Sequence, residues 1–303
     1  MPTNSIVLIT GASTGFGRAA AETLAARGYT VLASMRDTSG KNAPHRDALR
    51  SLASREGWAL YVVDLDVTRD ASVDRAIQEV LSNFGYIDVV VNNAGIAALG
   101  VTEAYTIEQF QQLFNVNLFG VARVNRAVIP SMRRRRNGLL IHVSSAAGHT
   151  TLPYAGVYCA SKFALEALAD AYRFELSPFG IDSVVVEPGI HRTPILENFI
   201  PPADQSCVDS YGSLAEYVAR VKGVFDAANR APETPGTEDV VDAFVNLIEM
   251  PAGERPFRTV PTVPLKPLLD PYNALADEIR KTIAGIFGVP ELTTLQRSAT
   301  TAD

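Results

Sequence analysis

The chain has 303 residues, of which 47% are hydrophobic and 20% charged, a composition typical of a soluble globular protein. Its formal net charge of -6 makes nucleic acid or an anionic membrane surface a poor partner. The sequence shows no secretory signal pattern and no run of about 18 apolar residues, so we expect a cytoplasmic protein without a membrane span. Cys159 and Cys207 are too few for a disulfide framework or a zinc site, so we expect free thiols and no metal.

The first 190 residues alternate between two patterns. Short runs rich in β-branched residues predict six strands, at 5–10, 30–34, 59–63, 87–92, 139–144 and 182–187. Stretches with helical periodicity lie between them, among them 17–27, 71–84 and 158–177. This alternation predicts parallel strands joined by right-handed crossovers, and the nearly continuous apolar character of the strands indicates helices on both faces of the sheet.

The pattern changes beyond Gly189. Prolines surround one helical stretch at 214–228, which indicates an excursion from the sheet. An amphipathic helix at 238–250, an irregular segment or edge strand at 256–267, a terminal helix at 272–287 and a loose polar tail follow. We expect a single domain over 1–303, with 196–236 as an insertion and 251–303 as a C-terminal extension.

Four consecutive arginines occupy 133–136, directly before Asn137 and Gly138. They could contact an anion or a membrane surface. We favour the alternative, the last turn of a helix, because cations there complement the helix dipole and Gly138 can supply the cap.

A glycine-rich loop follows the first predicted strand and opens a helix, with the sequence Thr10-Gly11-Ala12-Ser13-Thr14-Gly15-Phe16-Gly17. Glycines allow the backbone to approach a ligand closely, and amides at a helix N-terminus face an anion. The loop therefore predicts a dinucleotide phosphate site, although a purely structural turn can have such a sequence.

The end of the second predicted strand bears on the choice of cofactor. An acid there binds the ribose 2′-hydroxyl of NAD, whereas an arginine nearby accommodates the 2′-phosphate of NADP. Met35 stands where the acid is expected, and Arg36 follows it, so we expect NADP(H). NAD stays open, because a shift of one residue in register would make Asp37 the ribose acid, and Arg36 could also be a plain surface charge.

Tyr158 and Lys162 are four residues apart in a predicted helix, so both project from one face. A phenol titrates near pH 10, and an ammonium group one turn away favours the phenolate and lowers the phenol pKa. The pair suits proton transfer to or from an oxygen, although a solvated helix pair can have the same spacing.

Polar residues gather where the predicted strands end, at the edge where open parallel sheets bind ligands. Ser144 and Ser145 end the fifth strand, and Asn93 belongs to the Asn92-Asn93-Ala94-Gly95 run that ends the fourth. A hydroxyl at this edge can support an oxyanion. Asn117 lies in a helical stretch, where asparagine is not favoured, and either a functional or a buried structural role would explain it.

Together these motifs resemble the classical short-chain dehydrogenases/reductases, over roughly 6–193 and 238–250. The resemblance implies a Rossmann-type α/β fold, a doubly wound parallel sheet of about seven strands flanked by helices. It implies a catalytic set of Asn117, Ser145, Tyr158 and Lys162. It implies cofactor contacts from Gly11, Ser13, Thr14, Gly15, Phe16, Gly17, Arg36, Asp66, Val67, Asn93, Ala94, Gly95, Tyr158, Lys162, Pro188, Gly189 and Thr193.

The same resemblance implies a mechanism. A hydride would move between nicotinamide C4 and a carbonyl carbon, while Tyr158 gives or takes the proton of the oxygen. Ser145 would orient that oxygen, and Lys162 would bind the ribose hydroxyls and lower the pKa of Tyr158. Asn117 would hold a water of the proton relay behind Lys162.

In that family the segment corresponding to 196–236 covers the substrate. Apolar residues dominate it and the site edge, which predicts a neutral, bulky ketone or secondary alcohol: Leu196, Phe199, Ile200, Tyr211, Leu214, Tyr217, Val221 and Phe225, with Leu152, Pro153, Tyr154 and Val157 at the edge. The only charged groups that could bind an acidic substrate there are His149, His191 and Arg192.

The layout is most similar to the branch that holds the 17-beta-hydroxysteroid and retinol dehydrogenases, and members of the family are often homodimers or homotetramers. Two alternatives stay open: a non-catalytic NADP(H)-binding sensor, and an NAD-dependent alcohol dehydrogenase of the same family. The gap between Gly11 and Gly15 and the short C-terminal part disfavour an epimerase or dehydratase acting on nucleotide sugars.

Overall fold

The computed structural model describes residues 5–296. One sheet of seven strands has the order β3-β2-β1-β4-β5-β6-β7, and every neighbouring pair is parallel. The strands are β1 (Ile6–Ile9), β2 (Thr30–Met35), β3 (Leu60–Asp64), β4 (Val89–Asn92), β5 (Gly138–Val143), β6 (Ile181–Val186) and β7 (Arg258–Thr259). The predicted doubly wound parallel sheet is confirmed.

The helices that connect and cover these strands are α1 (Gly15–Ala26), α2 (Ala43–Glu56), α3 (Asp70–Phe84), α4 (Ile107–Asn117), α5 (Phe119–Arg135), α6 (Gly156–Leu176), α7 (Gln205–Ser210), α8 (Glu216–Arg230), α9 (Glu238–Glu249) and α10 (Lys266–Ile286). Within residues 5–296, none of them is long and apolar enough to cross a membrane.

The apolar strands are buried on both faces because each face has its own layer of helices. On β1, Val7 and Ile9 pack in a cluster with apolar residues of α1, α2 and α9, whereas Ile6 and Leu8 pack in a cluster with residues of α3 and α5. The side chains of a strand alternate between its faces, so a continuous apolar run serves both clusters at once.

The direction of winding reverses between β1 and β4. From β1 the sheet grows through β2 to β3 on one side, and from β4 through β5 and β6 to β7 on the other. A crevice therefore opens beyond the carboxyl ends of β1 and β4, which is where doubly wound sheets bind their ligands.

The arginine run ends a helix, as favoured, but the cap differs from the prediction. Helix α5 ends at Arg135, and Arg136 itself adopts the left-handed conformation with φ of 49°, while Gly138 begins β5. Arg135 makes an ion pair with Asp88 at 2.7 Å and stacks on Tyr86. Arg135 thus binds groups of the chain itself.

The C-terminal extension closes the sheet edge. Its strand β7 pairs with β6, with Val185 opposite Arg258, so the segment predicted as irregular or an edge strand at 256–267 holds a two-residue edge strand and is otherwise irregular up to the start of α10. Helix α10 begins at Lys266, earlier than predicted, because Pro267 lies in the first turn, where a missing amide costs no hydrogen bond. The described part of the predicted loose tail is anchored, since Gln296 N donates to Ser177 O at 3.0 Å, and 297–303 lie outside the described residues.

Buried charges hold this extension to the sheet. Asp182 on β6 is fully buried and accepts from Arg173 of α6 at 2.7 Å and from Arg255 at 2.6 Å. The ring of Phe257 lies under the guanidinium groups of Arg173, Arg258 and Arg280.

Candidate active site

The glycine-rich loop forms a cradle between β1 and α1. Gly11 and Gly15 have φ of 68° and 57°, a conformation that glycine adopts without strain. Thr14, the N-cap residue of α1, makes no side-chain capping hydrogen bond within the described chain. The first-turn amides of α1 therefore suit an anionic ligand, and this cradle fits the phosphates of a dinucleotide.

The cradle is joined to the loop after β4 by hydrogen bonds. Thr10 Oγ1 accepts from the amides of Asn93 and Ala94, each at 3.0 Å. Asn93 Nδ2 donates to the carbonyls of Thr10 and Gly11 at 2.9 and 3.2 Å. The side chain of Asn93, predicted as a cofactor contact, thus shapes the loop itself.

The two candidate cofactor contacts at the end of β2, Arg36 and Asp37, differ in their surroundings. Met35 is buried and the side chain of Arg36 is exposed. Asp37 adopts φ of 51°, and its Oδ2 accepts from the Lys41 amide at 2.7 Å. Since this carboxylate already caps its own turn, it is poorly placed to serve as a ribose acid.

Asp66 and Val67 follow β3 at the same edge of the sheet. Asp66 Oδ1 accepts from the amide of Thr68 at 2.9 Å and from its hydroxyl at 2.7 Å. Val67 is buried and packs against Gly120, where a β-carbon would lie 2.9 Å from Val67 Cγ2. Both residues fix the turn that borders the crevice.

The segment after β6 lies over the N-terminus of α1. The Gly189 amide donates to Thr262 Oγ1 at 2.7 Å, and Thr193 lies within 3.7 Å of the position of a β-carbon on Gly15. His191 is buried and bridges Gly189 O and Asp239 Oδ1, at 3.1 and 2.8 Å. His191 therefore holds this segment and is not free to bind an acidic substrate.

Tyr158, Lys162, Ser145 and Asn117 meet at the carboxyl end of β5. Tyr158 and Lys162 lie one turn apart on α6, with the Lys162 Nζ 5.8 Å from the centroid of the Tyr158 ring. Lys162 Nζ donates to Val143 O at 2.8 Å. Ser145 begins the turn after β5, and its Oγ lies 3.4 Å from Pro188 O.

Burial is the largest influence on the electrostatics of this group. Burial raises the pKa of Tyr158 to about 12, and a hydrogen bond with the Ser145 hydroxyl acts in the opposite direction. Burial also lowers the pKa of Lys162 to about 8, which the charge of Glu166 partly offsets. Desolvation is the largest influence on the pKa of Tyr158 here, and Lys162 points to Val143 O; the lowering of this pKa by Lys162 stays a prediction.

Asn117 is the last residue of α4 and does not lie in mid-helix as predicted. Its Oδ1 accepts from the Ile96 amide, and its Nδ2 donates to Ile96 O and to Ser161 Oγ, each at 2.9 Å. A β-carbon on Gly95 would lie 3.5 Å from Asn117 Oδ1 and 3.9 Å from Lys162 Nζ. Asn117 therefore joins the loop after β4 to α6 beside Lys162.

An apolar cluster packs against Tyr158 and closes the site on one side. Its buried members include Leu196 and Phe225, and Phe199 and Val221 pack against them. The rings of Phe199 and Phe225 are 5.1 Å apart. Of the other predicted lining residues in the insertion, Leu214 and Tyr217 are 53% and 45% exposed and point to solvent.

Sequence reasoning missed a group of buried charges behind Lys162. Glu166 on α6, Glu187 after β6 and Arg258 on β7 come together with His149. His149 Nε2 lies 2.6 Å from Glu187 Oε1. A carboxylate of the chain therefore already stands where that of an acidic substrate would have to bind. Only the spacing of Glu166, one turn after Lys162, gave a signal in the sequence.

Comparison with known proteins identifies the family. The family model described as short chain dehydrogenase matches residues 5–203. The chain belongs to the short-chain dehydrogenase family of oxidoreductases.

Individual relatives are similar over most of the chain. A 3-ketodihydrosphingosine reductase of Bacteroides thetaiotaomicron is 38% identical over 193 residues, which cover 64% of this chain and 66% of the reductase. Human 17-beta-hydroxysteroid dehydrogenase type 1 is 33% identical over 254 residues, 82% of this chain and 75% of that protein. The crystal structure of a short-chain dehydrogenase from Streptomyces avermitilis has a TM-score of 0.73 at 30% identity and covers 93% of this chain and 98% of that one.

Proposed function

We propose that this protein is an NADP(H)-dependent oxidoreductase that interconverts a ketone or aldehyde and an alcohol. The observation that supports it best is the convergence of Tyr158, Ser145 and the buried Lys162 at the carboxyl end of β5, with Lys162 Nζ 5.8 Å from the centroid of the Tyr158 ring. A phenol with a hydroxyl and an ammonium group close by can pass a proton to a substrate oxygen.

Each residue then has a stated task. In the direction of reduction, the Tyr158 hydroxyl donates its proton to the carbonyl oxygen, and the Ser145 hydroxyl donates a second hydrogen bond to that oxygen. Lys162 binds the ribose hydroxyls and brings a positive charge close to Tyr158, and Asn117 supports Lys162 from behind. When bound, the nicotinamide supplies or accepts the hydride.

The residues at the end of β2 support NADP(H). The exposed guanidinium of Arg36 can form a fork on a 2′-phosphate, whereas the carboxylate of Asp37 caps its own turn. We expect the phosphates to bind at Gly11, Ser13, Thr14, Gly15, Phe16 and Gly17, the adenine beside Asp66 and Val67, and the nicotinamide between Asn93, Ala94, Gly95 and the segment with Pro188, Gly189 and Thr193.

The apolar cluster beside Tyr158 supports a neutral and bulky substrate. The side of the site next to Tyr158 is lined with hydrocarbon from Leu196, Phe199 and Phe225. The nearby His149 and His191 each lie beside a carboxylate of the chain. A charged substrate would lose its hydration there without finding a partner.

Replacement of Tyr158 tests the proposal. Tyr158→Phe removes the transferable proton and should lower turnover by at least about 10³-fold on a panel of ketones and alcohols. The affinity for NADPH, measured by fluorescence titration, should change by less than about threefold, since one hydroxyl among many contacts is lost. Tyr61→Phe, on the exposed face of β3, is the matched control.

Full activity of Tyr158→Phe would refute the assigned mechanism. If the unaltered protein binds NADPH but turns over no member of the panel, the non-catalytic sensor becomes the better interpretation.

A further inference from the structure

A cluster of buried charges lies behind Lys162, formed by His149, Glu166, Glu187 and Arg258. The side chains are 8%, 4%, 0% and 6% exposed, respectively. They come from four separate elements: the turn after β5, α6, the end of β6 and β7. Buried charges are costly unless they are paired, so this charge cluster needs a physical reason.

Arg258 supplies the positive charge between the two glutamates. Its Nε lies 3.0 Å from Glu166 Oε2 and 3.7 Å from Glu187 Oε1. His149 Nε2 lies 2.6 Å from Glu187 Oε1 and 3.7 Å from Glu166 Oε2. The ligand atoms of the two glutamates and His149 are close enough to bind a metal ion, but the guanidinium already serves as their cation.

Glu166 is the member of the charge cluster that shares helix α6 with Tyr158 and Lys162. It lies one turn after Lys162 on the buried face of α6, and both residues are nearly inaccessible to solvent. A β-carbon on Gly148 would lie 2.9 Å from Glu166 Cγ and 2.6 Å from Ser144 Oγ. Glu166 thus lies directly beneath the turn that carries Ser145.

We propose that Glu166 is a positioning residue, which keeps Lys162 in its charged form and supports the turn at 144–148, and that Arg258 of the C-terminal extension keeps Glu166 ionised. This inference rests on the proposed function, because it gives Lys162 the task stated there. It assigns the C-terminal extension a direct influence on the active site.

The directions of the pKa shifts agree with this geometry. Burial lowers the Lys162 pKa to about 8, and the Glu166 charge acts against that change. The pKa of Glu166 is raised overall, by burial first and then by the neighbouring Glu187, and Arg258 and His149 act against that rise. Loss of Arg258 should therefore protonate Glu166, and a neutral Glu166 should let Lys162 lose its proton at lower pH.

Several further polar and charged groups surround the charge cluster. They come from α6, from α10 and from the turn after β5. Asp170 of α6 contacts Arg258 at 3.0 Å, and Asn273 of α10 donates to Glu187 at 2.6 Å. The remaining ones are Ser144 after β5, Tyr272 of α10, which contacts His149, and Arg280 of α10, which contacts Asp170.

Glu166→Gln in the full chain is the primary test, because it removes the charge and keeps the size. The alkaline limb of the pH profile of kcat/KM for NADPH-dependent reduction should move down by about one pH unit, which lowers kcat/KM about fivefold at pH 8 and approaches a tenfold loss at higher pH. At pH 6, where Lys162 stays protonated, the loss should be below about threefold. A merely structural role would lower the profile by the same factor at every pH.

Lysine NMR gives a readout that does not depend on turnover. The chain has five lysines, Lys41, Lys162, Lys222, Lys266 and Lys281, so ¹³C-labelled lysine yields few signals, and Lys162→Met identifies the one of interest. The Lys162 signal should titrate near pH 8 in the unaltered protein and about one unit lower in Glu166→Gln.

Arg258 variants and a distant ion pair provide the controls. Arg258→Gln should shift the titration of Lys162 in the same direction as Glu166→Gln. In Arg258→Lys the Lys162 signal should titrate close to its pH in the unaltered protein. These variants also keep the test available if Glu166→Gln does not fold. Asp182→Asn breaks another buried carboxylate–arginine contact of the extension, and it should lower the Tm without moving the Lys162 titration.

An unchanged Lys162 titration in both Glu166→Gln and Arg258→Gln would overturn the inference, as would an equal shift in Asp182→Asn. If Tyr158→Phe is inactive in these circumstances, the proposed function stands and only the role of Glu166 fails. If Tyr158→Phe and Lys162→Met are both active, the proposed function itself fails.

Discussion

A β-carbon on Gly17 would lie 2.5 Å from the side-chain nitrogen of Asn93. Gly17 belongs to the first turn of α1, and Asn93 follows β4, so this approach joins the two halves of the sheet at the point where its winding reverses. The missing side chain of Gly17 lets the Asn93 amide reach the carbonyls of Thr10 and Gly11.

Gly17→Ala should therefore destabilise the protein by about 1–3 kcal/mol and weaken NADPH binding, because the new methyl group displaces Asn93 and with it the phosphate loop. Helix propensity alone predicts the opposite sign, a gain of about 1 kcal/mol. Urea unfolding and NADPH titration measure the two effects. Gly223→Ala in α8 is the matched control, since its β-carbon would meet no atom within 4 Å among the described residues; equal results for both variants would contradict the prediction.

Arg36→Ala should weaken NADPH by at least about tenfold, which is about 1.4 kcal/mol, and leave NADH affinity within about twofold, because only the 2′-phosphate loses its partner. Arg50→Ala, an exposed arginine on α2, should change neither affinity appreciably. Equal losses for the two nucleotides in Arg36→Ala would remove Arg36 from the site.

His142 should make the protein sensitive to acid. Burial lowers its pKa to about 3, from an ordinary value of 6.5. Between these values the unfolded chain binds a proton that the folded chain does not, so stability is lost as the pH falls, by about 1.4 kcal/mol per pH unit. Urea unfolding between pH 7 and pH 4 should show a shallower pH dependence in His142→Asn than in the unaltered protein or in His45→Gln, and identical slopes would argue against a neutral buried His142.

Phe225→Ala should open space beside Tyr158 and raise kcat/KM for bulky ketones relative to small ones. Phe225 is 9% exposed and packs on Phe199, so its loss should also cost about 3 kcal/mol of stability. The neighbouring Val224 is 60% exposed, and Val224→Ala should alter neither property. An unchanged preference for substrate size in Phe225→Ala would exclude this face of the insertion from the substrate site.

The sequence predicted the sheet well because its strands are short, apolar and separated by recognisable turns. Helix α2 was not predicted, since only Leu49 and Ala53 in it are buried and its apolar periodicity is weak. The end of α4 at Asn117 was also missed, because α5 begins two residues later and the sequence reads as one helical stretch.

The candidate site was also predicted only in part. Residues recognised by local spacing, such as Tyr158 and Lys162, lie together as predicted. The burial that raises the pKa of Tyr158 could not be foreseen, because burial cannot be judged from two residues on a helix. The charge cluster with Glu187 and Arg258 combines four distant segments, and no local pattern connects them.

The two oxygens of Asp182 are bound by arginines from different parts of the chain, one from α6 and one from the C-terminal extension. Detachment of the extension would take one of these two arginines away from a carboxylate buried inside the protein, at a cost of several kcal/mol. Amide hydrogens around 253–260 should then exchange as slowly as those of β5 and β6, and the edge of the sheet should open only together with its centre. A shortened chain that ends before the extension should thus lose its fold as a whole instead of yielding a smaller enzyme.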